Sequence, residues 1–161
     1  MTAREIDFTR NVPDQVAEWL EEAALTLAAL PGGGHRLGAK TAQWPEMVRD
    51  LEELGWDRES DERMPAPAAD AVTRMDIALG WLSTFGPAEQ RLRKVVNMRL
   101  VVHPISGQHR WTWRKIAEKF SIDHKTAKQW HRVAVEHIGK KISEPEFFSP
   151  QTPHFALFPK V

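Results

Sequence analysis

Apolar residues recur along this chain every three or four positions, the period of an amphipathic helix, and nowhere alternate convincingly as in a strand. The first such stretch is 12–30, VPDQVAEWLEEAALTLAAL. Val12, Val16, Trp19, Leu20, Ala23, Leu27 and Leu30 fall on one stripe there. Asn11 precedes it as a candidate N-cap, Pro13 is tolerated in the first turn, and PGGG at 31–34 stops it. A short second helix is predicted over 44–55, with Met47, Val48, Leu51 and Leu54 inward and Gly55 at its end. The charged and then proline-containing WDRESDERMPAPAAD that follows reads as an internal linker. A third helix is predicted over about 68–84, with Val72, Met75, Leu79 and Leu82 on its buried stripe. A fourth covers about 87–102, with Leu92, Val95, Val96, Met98 and Leu100 apolar. Gly86 suits the end of one and Pro87 the first turn of the next. HPISGQHRW, 103–111, reads as a loop.

The next stretch, TWRKIAEKFSIDHKTAKQW, predicts a helical hairpin. Thr112 caps a short helix with Ile116, Ala117 and Phe120 inward, SID makes a tight turn, and Asp123 caps the second helix. At about 100° per residue, Ala127, Trp130, Ala134 and Ile138 share one side of that helix, and Lys125, Lys128, Gln129 and Arg132 the opposite side. Alanines at 117 and 127 are small enough for the two helices to cross closely, as a helix-turn-helix requires. Beyond Ile142 the character changes: four prolines and four phenylalanines lie in the last nineteen residues, incompatible with a continuous helix or a central strand. This arm either docks on the protein's own surface or engages a partner or second subunit.

The expected fold is therefore all-α, a helical bundle with a C-terminal helix-turn-helix (112–139) and an irregular Pro/Phe-rich arm. The expected division is an acidic helical region over 1–64, a helical domain over 65–141 and the arm over 142–161.

Charge adds to this picture. The chain has 22 Lys/Arg and 22 Asp/Glu, yet Glu89 to Lys141 holds thirteen Lys/Arg against four Asp/Glu, leaving nine against eighteen elsewhere. A polyanion-facing region beside an acidic one accounts for this segregation; so do two halves attracting each other within one fold. Lys and Arg neutralise phosphates, and Gln or Arg can form bidentate contacts with base edges in the major groove. A solvated helix face is the alternative, against which stands the single sign of the outward positions before Glu136.

With no cysteine, disulfides, thiol catalysis and cysteine-ligated zinc are excluded. MTAREIDFTR is too polar for a signal peptide and no apolar run reaches membrane-spanning length, so a cytoplasmic location without membrane contact is expected. No pair of the seven histidines has the spacing of a recognised metal site. GAKT at 38–41 lacks the spacing of a phosphate loop and follows a helix, and no serine lies in G-x-S-x-G. Neither an enzyme nor a metal or other cofactor is expected.

TWRKIAEKFSIDHKTAKQWHRVA resembles the helix-turn-helix of region 4 of sigma-70-type factors and related response-regulator domains. Thr112, Ile116, Ala117, Phe120, Ile122, Asp123, Ala127 and Trp130 stand at the matching positions, and FGPAEQRLRKVVNMRLV looks like that family's preceding helix. The resemblance covers about 86–141. Ser121 stands where the turn glycine is usual, Lys115 where an acidic capping partner is common, and Trp130 where an aliphatic residue is usual. Nothing in residues 1–85 resembles the polymerase-binding region 2, so the organisation looks more like a small phage or prophage regulator.

By position, the resemblance implies that Lys125, Thr126, Lys128 and Gln129 approach bases, with His124 near the groove edge. Arg114, Lys115 and Arg132, joined by Arg110, would hold phosphates. Trp113, in the first helical turn, is expected in the core; Trp111 is equally placed for packing or for base stacking. The expected function is sequence-specific binding of double-stranded DNA in transcription regulation, with homodimerisation or RNA polymerase contact assigned to the acidic helices. The alternatives are a DNA-packaging subunit of the small-terminase kind and a polymerase-binding adaptor without DNA binding.

Overall fold

The computed structural model describes residues 6–30 and 65–144. Within them the chain is all-α: α1 (Val12–Ala29), α2 (Ala69–Gly80), α3 (Gln90–Arg99), α4 (Trp113–Phe120) and α5 (His124–Ser143), with 3₁₀ turns at Trp81–Thr84 and Pro87–Glu89. The helix expected over 44–55, most of the linker and the arm beyond Glu144 lie outside the described residues.

The stripe on α1 is the one its spacing predicts: Val16, Trp19, Leu20, Ala23 and Leu27 are buried, and Ala24 with them. Asn11 stands at the N-cap position, but its side chain does not cap the helix backbone; its Nδ2 donates to Asp14 Oδ2 at 2.7 Å instead. The third helix is not continuous to 84. Ser83 Oγ donates to the Gly80 carbonyl and Thr84 Oγ1 to that of Trp81, each at 2.7 Å, hydroxyl bonds three residues back that accompany the tightened last turn. The fourth helix ends at Arg99 rather than 102, because Val101 and Val102 are β-branched and His103 precedes a proline. Both valines are buried, and Val102 pairs with His109 in a single antiparallel bridge that closes the loop. Gly107 turns that loop with φ of 66°, and a Cβ there would stand 3.3 Å from Leu25 Cδ2 on α1.

Two apolar clusters organise the helices. The larger joins α1, α2, the Trp81–Phe85 segment and the C-terminal half of α5 through Trp19, Met75, Trp81, Leu82, Ala134, Ile138 and Ile142. The described part of 1–64 thus shares one core with α2 and α5. The smaller cluster joins α3, α4 and the start of α5 through Val95, Met98, Ile116, Ala117 and Ala127, with Trp111, Trp113, Phe120, Ile122 and Trp130 packed around it half-buried. Ile116 and Ile138 have no exposed surface; truncating such a side chain to alanine costs about 2–5 kcal/mol.

A polar seam lies alongside. Arg99 stacks 4.3 Å over the Trp113 ring and donates to the Trp111 carbonyl at 3.3 Å, with Glu21 of α1 at 4.0 Å. His109 Nε2 lies 3.1 Å from Glu21 Oε2, and its Nδ1 lies 2.8 Å from the Arg99 carbonyl. His131 of α5 meets Trp113 edge-on at 5.4 Å. Burial, reinforced by the Arg99 charge, pushes the His131 pKa down to about 4, while the hydrogen bond from His109 holds Glu21 below the usual carboxylate range.

These features make two predictions. Ser121 adopts the left-handed conformation, φ 53° and ψ 45°, that ends α4. Such a conformation strains any residue with a Cβ, so Ser121→Gly raises stability by about 1 kcal/mol and Ser121→Val lowers it, read from urea midpoints. For His131, the folded pKa of about 4 lies below the ordinary 6.5, so folding favours the neutral ring. Its contribution is complete above about pH 6.5 and is lost as pH falls towards 4, with the loss from Glu21 added below about pH 4.5. Urea midpoints of the natural protein decline across that window, and His131→Gln flattens the decline.

Candidate nucleic-acid interface

Asp123 starts α5 by accepting the Lys125 backbone N–H on Oδ2 at 2.8 Å, and Thr112 starts α4 by accepting that of Lys115 at 3.4 Å. Both caps fall where the sequence places them. They hold the two helices around the turn at Ser121, whose N–H donates to Glu118 while that of Ile122 donates to Ala117. Ala127, Ala134 and Ile138 are fully enclosed on the inner side of α5. Lys125, Lys128, Gln129 and Arg132 are exposed on the outer side. From Lys125 to Arg132 this face runs about 10 Å along the axis, short enough for a major groove about 12 Å wide.

The remaining residues divide. Arg114 and Lys115 are exposed on α4, and His124 is exposed with its Nδ1 3.3 Å from Asp123 Oδ1. Thr126 is half-buried beside Ala127. Arg110 is half-buried where the loop closes, its backbone N–H donating to the Val101 carbonyl at 2.9 Å. Arg132 Nε donates to Glu136 Oε1 at 3.0 Å.

Trp113 packs between Arg99 and His131, as expected of a core-facing residue. Trp111, for which packing and stacking were equally open, is half-buried with Lys119 Nζ 4.9 Å from its ring centroid. Lys119 is a cation outside the set that the sequence singles out; it is exposed one turn beyond Lys115, and that i, i+4 spacing is its signal. Arg91 and Lys94 are likewise exposed cations, on α3.

The outer surfaces of α4 and α5 up to residue 136 thus carry six exposed cations, Arg114, Lys115, Lys119, Lys125, Lys128 and Arg132, against Glu118, Asp123 and Glu136. Part of the charge segregation is used internally, where Glu21 of the acidic part faces Arg99 and His109 of the basic block; Glu22 binds Arg74 at 2.7 Å and Glu89 faces His137 at 3.1 Å, each pair within one part. The face offers donors and positive charge, the chemistry that binds a polyanion. Among the described residues no group of three or more His, Asp or Glu side chains could hold a metal ion, and no helix is long and apolar enough to cross a membrane.

No curated protein and no solved structure matches the chain. One family model does match, over residues 28–138, from the end of α1 through most of α5. The chain belongs to that family, described as a domain of unknown function (DUF6362).

Proposed function

We propose that α4 and α5 form a helix-turn-helix that binds double-stranded DNA, and that the protein is a sequence-specific transcription regulator of the small phage or prophage type. One observation carries the reading: α5 has a fully enclosed inner side, Ala127, Ala134 and Ile138, and an exposed outer side of Lys125, Lys128, Gln129 and Arg132. The helix is inserted from His124 into the major groove. Lys125, Lys128 and Gln129 meet base edges, where lysine and glutamine find acceptors on guanine and adenine. Arg114, Lys115 and Lys119 bind the flanking phosphates from α4, and Lys125 and Lys128, charged and inside the groove, add to the phosphate neutralisation that sets the salt dependence of binding. Thr126 and Arg110, both half-buried, contribute less to this contact than the exposed cations.

Two variants test the reading. Lys125→Ala with Lys128→Ala lowers affinity for duplex DNA and flattens the log–log salt dependence by about 0.9 for each phosphate that is no longer neutralised; unchanged affinity in a mobility-shift titration sinks the proposal. Gln129→Ala leaves binding to random duplex in place and relaxes preference at one base position, by roughly 1–3 kcal/mol in a selection from random duplexes.

A further inference from the structure

We infer that Glu136 suppresses non-specific DNA binding by holding Arg132 in an intramolecular ion pair that competes with the DNA backbone. The inference rests on the DNA-binding reading above. Glu136 is the only carboxylate on α5. At about 100° per residue it continues the outer stripe of Lys125, Gln129 and Arg132. Arg132 Nε donates to its Oε1 at 3.0 Å, although the two side chains are 74% and 50% exposed.

Helix stability does not account for the pair. Arginine preceding glutamate by four residues is the weaker of the two orders along a helix, and an exposed pair contributes little. Position accounts for it better. Glu136 lies about 16 Å along the axis from Lys125, beyond the width of a major groove of about 12 Å. A helix entering by its N-terminal end therefore brings Glu136 to the phosphate wall with Arg132 just inside it. There the carboxylate offers only acceptors, as the phosphate does, and competes with it for the guanidinium by holding its Nε–H and part of its charge. On an arbitrary duplex, the Nε–H that Arg132 gives to Glu136 is withheld from the phosphate, and the Glu136 charge stays beside the backbone. At a matched site, base contacts from Lys128 and Gln129 offset that loss.

Fluorescence anisotropy with a random-sequence duplex, titrated across salt concentration, tests this in the full chain with Glu136→Gln, Arg132→Ala and the double variant. Glu136→Gln should tighten random-duplex binding about two- to fivefold and steepen the log–log salt slope by about 0.9, the value for one further neutralised phosphate. Both gains should vanish in the Arg132→Ala background. No gain, or an equal gain with and without Arg132, overturns the inference, the second outcome reducing Glu136 to simple charge repulsion. Natural protein that binds no duplex even at low salt overturns the DNA reading itself. Ordinary binding by the natural protein with an unaltered Glu136→Gln overturns this inference alone. Circular dichroism of each variant verifies that helix content is retained.

Discussion

Every other feature depends on one helix being buried in two places. The first turns of α5 pack through Ala127 against Val95, Met98, Ile116 and Ala117, and its later turns pack through Ala134, Ile138 and Ile142 against α1 and the Trp81–Phe85 segment. A helix pinned at both ends has no freedom to roll, so the direction of Lys125, Lys128 and Gln129 is set by packing against α1, at the opposite end of the chain. Small residues make this geometry available. Ala127 and Ala134 are fully enclosed, and a Cβ at Gly139 would stand 3.3 Å from the ring of Pro13 at the start of α1.

The polar seam gives the arrangement its second constraint. Arg99 is held by the Trp113 ring, the Trp111 carbonyl and Glu21 together, so one guanidinium links α3, the start of α4 and α1. His109 adds the loop by lying between Glu21 and the Arg99 carbonyl. A comparable junction anchors the far half of α5, where His137 stacks 5.0 Å from Phe85 and faces Glu89 and the Thr84 carbonyl. Opposite charges placed far apart in sequence thus contribute to folding as well as to surface potential. Both accounts of the charge segregation describe parts of the same molecule: Arg99 of the basic block faces inward to Glu21 of the acidic part, while Arg114, Lys115, Lys125 and Lys128 face water.

What was legible in the sequence was what local physics controls. The α1 stripe follows from side-chain spacing alone, and the caps at Thr112 and Asp123 involve residues no more than three positions away. Local reasoning failed where two local options compete. The Asn11 side chain satisfies Asp14 instead of the helix backbone, and the helix expected to run to 84 tightens as Ser83 and Thr84 bond back to carbonyls. The loop before α4 gave no strand signal because its closure at Val102 and His109 is a single bridge, too short to produce alternation.

The sequence by itself determined the helical class, the hairpin with its caps, and the opposition of an apolar and a basic side on α5. These depend on intervals of one to four residues, over which helix geometry is nearly invariant. Only the tertiary structure decided that Trp113 is clamped by Arg99 and His131, that Arg99 is an internal cation while its neighbours on the hairpin are exposed, and that Arg132 meets Glu136. For Arg99 the physical reason is distance along the chain. Its partner Glu21 lies 78 residues earlier, and their meeting depends on how α1 packs across α5, which no local pattern encodes. For Arg132 the spacing to Glu136 permits the pair, but an exposed side chain has several rotamers of similar energy, and the fold shows which of them is occupied.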